Sequence, residues 1–272
     1  MTSGPRYPEL AGTVAAVSGG ASGIGEASVR ALAEQGATVW MLDIDSAAVE
    51  STRASLLALG LDVNGIVCDV SDEASVVAAI TRILAESGRL DTVHCNAAVT
   101  WTEPVSSTTL AGWKRVIDIN LTGAFLLAKE AYLAMRTAGN GGSIIFTGSP
   151  HALRTIPESS AYSASKGGVA ALMKALAIEA APFGIRVNSV LPGAVDTPLL
   201  RSDAALSDDP EAMIRRWGAS RPVGRIGKPD EIASVVAFLA SEGASYMSGS
   251  EIMVDGGLYA YLGDGMKTID DN

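Results

Sequence analysis

The stretch that decides the fold is residues 13–35, TVAAVSGGASGIGEASVRALAEQ. Its beginning is an apolar run that predicts a buried strand, and its end has the periodicity of an amphipathic helix. Between them, Gly19, Gly23 and Gly25 follow a G-x-x-x-G-x-G spacing. A glycine-rich turn between a strand and a helix is the setting in which main-chain amides bind the phosphates of a dinucleotide. Gly19 would allow the tight turn, Gly23 the approach of a pyrophosphate, and Gly25 the close packing of helix on strand.

The glycine cluster is a weak signal by itself, because the chain has 29 glycines and an ordinary strand-to-helix loop also uses them. Asp43 strengthens it, since it ends the next predicted strand about 20 residues after the turn, where a carboxylate accepts hydrogen bonds from ribose hydroxyls. A carboxylate there repels a 2′-phosphate, and residues 20–22 and 44–45 include no Arg or Lys to offset it. We therefore expect NAD rather than NADP. The alternative for Asp43 is a helix cap, for which Ser46 is better placed.

Short apolar runs alternate with longer amphipathic runs along the rest of the chain, which predicts βαβ units around a parallel sheet. Strands are predicted at 13–18, 37–43, 63–69, 92–96, 143–148, 186–191 and 251–254. Helices are predicted at 23–35, 46–59, 72–87, 110–136, 161–183 and 229–241, the fourth with a break near 118–120. No linker divides the chain, so we expect residues 1–272 to form a single domain. Its least regular parts are an expected lid at about 194–227, with a helical patch at 212–217, and a C-terminal tail at 258–272.

The composition excludes several classes of function. The net charge of −10, from 20 basic and 30 acidic side chains, argues against a nucleic-acid partner. Apolar runs are too short to cross a membrane, which takes about 20 residues. The N-terminal sequence has no targeting pattern, so we expect a cytoplasmic protein. Two cysteines and two histidines leave little from which to build a zinc site, and we expect no metal.

Tyr162 and Lys166 lie near the start of a predicted helix, one turn apart on the same face. An ammonium beside a phenol favours the phenolate, so we expect Lys166 to lower the pKa of Tyr162 from its usual value of about 10. Tyr162 would then serve as an acid and base near neutral pH. The alternative is a surface tyrosine next to a solvated lysine.

The order and spacing of these motifs resemble the short-chain dehydrogenase/reductase family over residues 13–257. The matching motifs are SGGASGIG at 18–25, CDV at 68–70, CNAA at 95–98, Asn120, Ser149, YSASK at 162–166, PG at 192–193 and DGG at 255–257. The resemblance implies an α/β protein with a single-domain Rossmann fold, whose doubly wound seven-stranded parallel sheet has helices on both faces. It also implies that Cys68 and Cys95 lie about three strand spacings, or roughly 14 Å, apart and are free thiols.

The resemblance further implies a catalytic tetrad of Asn120, Ser149, Tyr162 and Lys166. In the family, the serine holds the substrate oxygen and the tyrosine moves the proton. The lysine binds the nicotinamide ribose, and the asparagine anchors a water that links the lysine to solvent. The cofactor-binding positions would be Gly19, Ser22, Gly23, Ile24, Gly25, Asp43, Asp69, Val70, Asn96, Ala97, Tyr162, Lys166, Pro192, Gly193, Val195 and Thr197. Asp69 would face the adenine amino group and Thr197 the carboxamide.

The sequence departs from the family pattern at three positions. The usual Asn-Asn-Ala-Gly is Cys95-Asn96-Ala97-Ala98, and the usual threonine before the first glycine is Ser18. The serine keeps the hydroxyl, whereas Cys95 removes an amide and Ala98 adds a methyl group. None of these changes touches a catalytic group.

The expected function is NAD-dependent transfer of hydride between NAD and a secondary alcohol, which could be cyclic or a sugar. The alternatives are a 3-oxoacyl carrier-protein reductase, which Asp43 and the acidic balance disfavour, and a catalytically silent nucleotide sensor, which typically lacks the tyrosine or lysine. The family also implies a homo-oligomer, a tetramer or a dimer, built on the helices after the fourth and fifth strands. Candidate substrate-pocket residues are Trp101, His151, Leu153, Arg154, Leu199, Met213 and Trp217.

Overall fold

Seven parallel strands form one sheet in the computed structural model, which describes residues 7–261. The strands are β1 Val14–Ser18, β2 Thr38–Asp43, β3 Val63–Val67, β4 Thr92–Cys95, β5 Gly142–Thr147, β6 Ile185–Pro192 and β7 Glu251–Val254. They lie in the order β3-β2-β1-β4-β5-β6-β7. In register, Val17 of β1 lies opposite Met41 of β2 on one side and His94 of β4 on the other.

Helices alternate with these strands along the chain. They are α1 Gly23–Glu34, α2 Ser46–Ala58, α3 Glu73–Ser87, α4 Leu110–Ile117, α5 Gly123–Ala138, α6 Ser160–Ala180, α7 Pro198–Ala204, α8 Pro210–Ala219 and α9 Pro229–Ala240. A π-helical segment, Asp118–Thr122, joins α4 to α5. The long helix does not break near 118–120 as predicted; it continues through this segment as a π-bulge.

Both faces of the sheet are covered. Because side chains alternate along a strand, Val14 and Ala16 of β1 enter one hydrophobic cluster and Ala15 and Val17 enter another. The first cluster packs against α3, α5 and α6, and the second against α1 and α2. Helix α9 covers β5 and β6 on the second face. The predicted doubly wound Rossmann fold, with helices on both faces of a seven-stranded parallel sheet, is confirmed.

Two local predictions need correction. The N-cap of α2 is Asp45, whose carboxylate accepts hydrogen bonds from the amides of Ala47 and Ala48 at 3.0 Å, and not Ser46. In the lid, α7 was not predicted; it begins at Pro198, and the Thr197 hydroxyl caps it by accepting a hydrogen bond from Leu200. The predicted helical patch at 212–217 is part of α8. Of the predicted tail, 262–272 lie outside the described residues.

Cys68 and Cys95 are buried and free, as expected from the sheet order. Within residues 7–261 no three His, Cys, Asp or Glu side chains are grouped so that they could hold a metal ion. None of the helices in this range has the length and apolar content that crossing a membrane requires.

Candidate active site

The site lies at the carboxyl edge of the sheet, where β1 and β4 are neighbours. The chain leaves β1 towards β2 on one side and leaves β4 towards β5 on the other. In open α/β sheets such a change of direction opens a crevice between the loops, and ligands bind there. The loops after β1, β4, β5 and β6 line this crevice.

The three motif glycines of the turn after β1 lie too close to their neighbours to carry a side chain. Gly19 has a φ of +60°, and a Cβ on it would lie 2.9 Å from the Cα of Ala97. A Cβ on Gly25 would lie 1.9 Å from the carbonyl oxygen of Gly19, and one on Gly23 would lie 3.1 Å from the Thr197 side chain. The side chain of Ser22, the N-cap of α1, makes no capping hydrogen bond. The turn therefore leaves the N-terminus of α1 open to an anion, as a pyrophosphate requires.

Ser18 and Asn96 hold the turn against the end of β4. The Ser18 hydroxyl accepts hydrogen bonds from the amides of Asn96 and Ala97 at 2.9 and 3.1 Å. The Asn96 side-chain amide donates to the carbonyls of Ser18 and Gly19 at 3.1 and 3.3 Å. Serine thus makes these bonds with the hydroxyl that the usual threonine would supply at position 18.

Asp43 lies at the end of β2 beside the turn. Its Oδ2 accepts a hydrogen bond from the amide of Ala21 at 3.1 Å, and its Oδ1 accepts one from the amide of Asp45 at 3.2 Å. Asp69, after β3, accepts hydrogen bonds from the amide and hydroxyl of Ser71. Val70 packs against Gly123 at the start of α5, where a Cβ would lie 2.8 Å from the valine.

The loop after β6 forms the opposite wall. A Cβ on Gly193 would lie 2.8 Å from the Cα of Asp255, so β6 and the end of β7 come close there. Val195 is buried and pairs with Gly227, which closes the base of the lid. Thr197 contacts Gly23 of the turn and caps α7. The structure therefore brings the predicted cofactor-binding residues after β1, β2, β4 and β6 around one crevice.

Tyr162 and Lys166 lie one turn apart on α6, as predicted. The Lys166 side chain is buried, and its Nζ lies 5.7 Å from the centroid of the Tyr162 ring. Nζ donates a hydrogen bond to the carbonyl oxygen of Thr147, at the end of β5, at 2.8 Å. Burial lowers the pKa of Lys166 to about 8.

The expectation that Lys166 lowers the pKa of Tyr162 is wrong for the protein as described. Burial raises the pKa of Tyr162, a hydrogen bond to the Ser149 side chain lowers it, and the negative charge of Asp203 raises it. The Lys166 ammonium lies 5.7 Å from the centroid of the ring and bonds to the Thr147 carbonyl. The Tyr162 hydroxyl is therefore a protonated phenol at neutral pH.

Asn120 is fully buried in the π-helical segment, and its side chain forms hydrogen bonds with other protein groups. Its Oδ1 accepts a hydrogen bond from the amide of Val99 at 2.8 Å, while Nδ2 donates to the carbonyl of Val99 and to Ser165. The side chain therefore joins the loop after β4 to α6 next to Lys166. Both amide hydrogens are engaged, and the water expected at Asn120 stays a prediction.

Two polar residues missed in the sequence join this group. His94 of β4 is fully buried, and its Nε2 lies 2.8 Å from the Thr147 hydroxyl. Thr147 donates in turn to Oδ1 of Asn96 at 3.0 Å. Thr147 therefore contacts Asn96 through its hydroxyl and Lys166 through its carbonyl. No motif marks it, because its role depends on strands distant in the sequence.

The predicted pocket residues differ in their burial and in their contacts. The His151 ring meets the Tyr162 ring edge to face with centroids 5.4 Å apart, and burial lowers its pKa. The Trp101 ring packs against Gly112 of α4, where a Cβ would lie 2.7 Å from it. Leu153 is 48% exposed, and Arg154 stacks on Tyr259 at 5.1 Å. Leu199 lies on α7, while Met213 and Trp217 are half-buried on one face of α8.

One acidic residue near Tyr162 was not predicted. Asp203 of α7 accepts a hydrogen bond from the Thr100 hydroxyl at 2.7 Å. It belongs to the lid, and its negative charge raises the pKa of Tyr162. The sequence gives no signal for it, because α7 itself was not predicted.

Comparisons with known proteins agree with this geometry. A family model described as enoyl-(acyl carrier protein) reductase matches residues 19–259. A cis-4-hydroxycyclohexanecarboxylate dehydrogenase of Sinomonas cyclohexanicum is 42% identical over 248 residues, covering 91% of this chain and 96% of its own length. An L-fucose dehydrogenase of Oryctolagus cuniculus is 38% identical over 270 residues, covering 97% of this chain and 89% of its own length.

Solved structures show the same fold. The crystal structure of levodione reductase has a TM-score of 0.90 and 35% identity, covering 93% of this chain and 99% of that chain. A short-chain type dehydrogenase/reductase from Mycobacterium marinum has a TM-score of 0.87 and 35% identity, covering 93% of this chain and 97% of that chain.

Proposed function

Because the chain belongs to the short-chain dehydrogenase/reductase family, oxidoreductases that act on CH–OH groups, we propose that it transfers hydride between a secondary alcohol and NAD. The observation that carries the proposal is the meeting of Ser149, Tyr162 and Lys166 at the carboxyl edge of the sheet, beside the glycine-rich turn. We assign Asn120, Ser149, Tyr162 and Lys166 as the catalytic group and propose that residues 1–272 form one domain.

Family members use a nicotinamide nucleotide, which supplies the hydride donor or acceptor when bound. Three features of this chain favour such a cofactor: the cradle at Gly19 and Gly25, the open N-terminus of α1, and the Asp43 carboxylate at the end of β2. Asp43 forms no ion pair with any residue in the described range 7–261. Its negative charge would repel a 2′-phosphate, so we propose NAD as the cofactor.

Tyr162 transfers the proton, and the other side chains of the group position the reacting molecules. Ser149 holds the substrate oxygen, and Tyr162 gives the carbonyl oxygen a proton in reduction or takes the hydroxyl proton in oxidation. Lys166 would hold the cofactor ribose, and Asn120 keeps the loop after β4 against α6. These contacts position the reacting groups, which is the protein's main contribution to hydride transfer.

The names of the relatives indicate a substrate class. They include dehydrogenases of a hydroxycyclohexanecarboxylate, L-fucose and cyclopentanol, and a levodione reductase. We propose that this protein likewise acts on a cyclic secondary alcohol, a sugar or the matching ketone. It would do so as a cytoplasmic homo-oligomer, either a dimer or a tetramer.

The test is a screen of secondary alcohols and ketones with NAD(H) and NADP(H). Turnover is monitored by the absorbance of the reduced nucleotide, and Tyr162→Phe is assayed in parallel. We expect the wild type to turn over cyclic alcohols with NAD and the variant to lose turnover while still binding NADH. NADPH-dependent reduction of 3-oxoacyl thioesters alone would favour a carrier-protein reductase. NADH binding without any turnover would favour a silent nucleotide sensor. Substantial activity in Tyr162→Phe would overturn the assigned role of the tyrosine.

A further inference from the structure

The contact between Asp203 and Thr100 joins the lid to the body of the protein beside the catalytic group. Asp203 lies near the end of α7, and Thr100 lies in the loop after β4, 103 positions away in the sequence. The Thr100 hydroxyl donates to the Asp203 carboxylate at 2.7 Å. Asp203 is half-buried, and the next residue, Ala204, is fully buried. The carboxylate is therefore held in place rather than free in solvent.

The carboxylate lies where two borders of the crevice meet, because Thr100 belongs to the loop after β4 and α7 follows the loop after β6. Its negative charge acts on the Tyr162 hydroxyl, and burial raises the pKa of Asp203 itself while the Thr100 bond lowers it. A substrate whose oxygen is bound by Tyr162 has to extend along the crevice, and α7 with Asp203 forms one border of that crevice.

The cations of the catalytic group, of the loop after β5 and of α7 have partners other than Asp203. Lys166 bonds to the Thr147 carbonyl, Arg154 bonds to the carbonyl of Tyr259 and stacks on its ring, and Arg201 pairs with Asp196 and Glu211. Among the ion pairs of the described chain, none includes Asp203. A half-buried carboxylate of this kind accepts strong hydrogen bonds from hydroxyl groups and repels other anions.

We propose that Asp203 determines substrate specificity: it accepts a hydrogen bond from a second hydroxyl group of an uncharged substrate, and it disfavours substrates that carry a carboxylate. The substrate class is thus an uncharged diol, polyol or sugar rather than a hydroxy acid. This inference rests on the proposed alcohol dehydrogenase function and names the chemistry that the same site selects.

The test compares kcat/KM for two pairs of alcohols in the wild type, Asp203→Asn and the control Asp208→Asn. The pairs are 1,2-cyclohexanediol with cyclohexanol, and cis-4-hydroxycyclohexanecarboxylate with its methyl ester. Ratios within a pair are used because removing the charge also shifts the pKa of Tyr162, which affects every substrate alike. Asn at 203 still accepts the bond from Thr100, and Asp208 is an exposed carboxylate in the same lid.

We expect the wild type to prefer the diol and the ester. In Asp203→Asn, the ratio of diol to cyclohexanol should fall and the ratio of acid to ester should rise, each about tenfold, the effect of one charged interaction. Asp208→Asn should keep both wild-type ratios. Asp203→Ser, checked for folding by its Tm, should change the ratios in the same directions.

A purely structural role for Asp203 predicts a different result. Thr100→Val would then lower kcat for all four alcohols by one common factor, and Asp203→Asn would keep both wild-type ratios; that outcome overturns the proposal while leaving the dehydrogenase function intact. A wild type that oxidises none of the four alcohols with either nucleotide would overturn the dehydrogenase function, and the role of Asp203 with it.

Discussion

His94 and Thr147 are joined by a hydrogen bond of 2.8 Å between adjacent strands beneath the candidate active site. The other hydrogen bonds of Asn96 and Thr147 determine which of the two groups is the donor. The Asn96 amide donates to two carbonyls, so its Oδ1 must accept from the Thr147 hydroxyl, which then accepts from Nε2–H of His94. The Nδ1 atom of His94 is left without a protein partner.

We predict that His94 makes the protein less stable in acid. Burial, with a smaller contribution from the positive charge of Lys166, lowers the pKa of His94 to about 3. Between pH 3 and 6.5 the unfolded chain therefore binds a proton that the folded protein does not, so the free energy of unfolding falls as the pH falls. In His94→Gln, which keeps a donor for Thr147, this fall should be shallower by about 1.4 kcal/mol per pH unit. Urea unfolding of both proteins from pH 4 to 7 measures this difference in slope. Equal slopes of the free energy of unfolding against pH would contradict the prediction.

We predict that Asp43→Ser relaxes the preference for NAD. Removing the carboxylate removes its repulsion of a 2′-phosphate, so the ratio of kcat/KM for NAD to that for NADP should fall at least about tenfold. Asp45→Ser is the matched control, because Asp45 is the N-cap of α2 and serine can also cap a helix. Unchanged discrimination in Asp43→Ser would count against the role of Asp43.

We predict that Gly25→Ala weakens NADH binding and that Gly167→Ala does not. A Cβ on Gly25 would collide with the Gly19 carbonyl, whereas a Cβ on Gly167 in α6 has no atom within 4 Å. Gly25→Ala should displace the turn and weaken NADH binding at least about tenfold, whereas Gly167→Ala should be neutral or stabilise α6 by up to about 1 kcal/mol. NADH fluorescence titration and thermal unfolding test both variants. Normal NADH binding by a folded Gly25→Ala would contradict the assigned function of the turn.

We predict that oxidation and reduction depend on pH in different ways. The pKa of Tyr162 is raised, chiefly by burial, so the phenol keeps its proton to higher pH than usual. Ketone reduction needs the protonated form and should stay nearly constant from pH 7 to about 9.5, whereas alcohol oxidation needs the phenolate and should rise over the same range. Initial rates in both directions over this range are the measurement. A shared pH optimum would show that another group controls proton transfer.

We predict a homo-oligomer that forms through α4, α5 and α6. Trp113, Phe125, Leu133 and Ile178 on these helices are between 37% and 77% exposed, an apolar surface that an interface would cover. Light scattering should give a multiple of the 27.8 kDa chain mass, and Phe125→Glu should shift the distribution towards the monomer. Leu206→Glu in the lid is the control and should not. A wild type of about 28 kDa would refute the prediction.

The strands and the long helices could be predicted because each is specified by its own residues. The length of the helical stretch 110–136 led to the prediction of a break near 118–120, where the structure has a π-bulge instead. The seven-residue α7 could not be predicted in this way, because it is too short to show a helical period. It is defined by Pro198 at its start and by the Thr197 cap.

The sequence by itself determined the fold class and predicted which residues bind the cofactor and take part in catalysis. Glycine spacing, helix period and the motif YSASK are local properties, and neighbouring residues specify them completely. Only the tertiary structure decided the electrostatics of the site. Burial, rather than the neighbouring Lys166, sets the direction of the Tyr162 pKa, and Asp203 meets Thr100 across 103 positions. Desolvation and contacts between distant segments depend on how the whole chain packs, so no local pattern could reveal them.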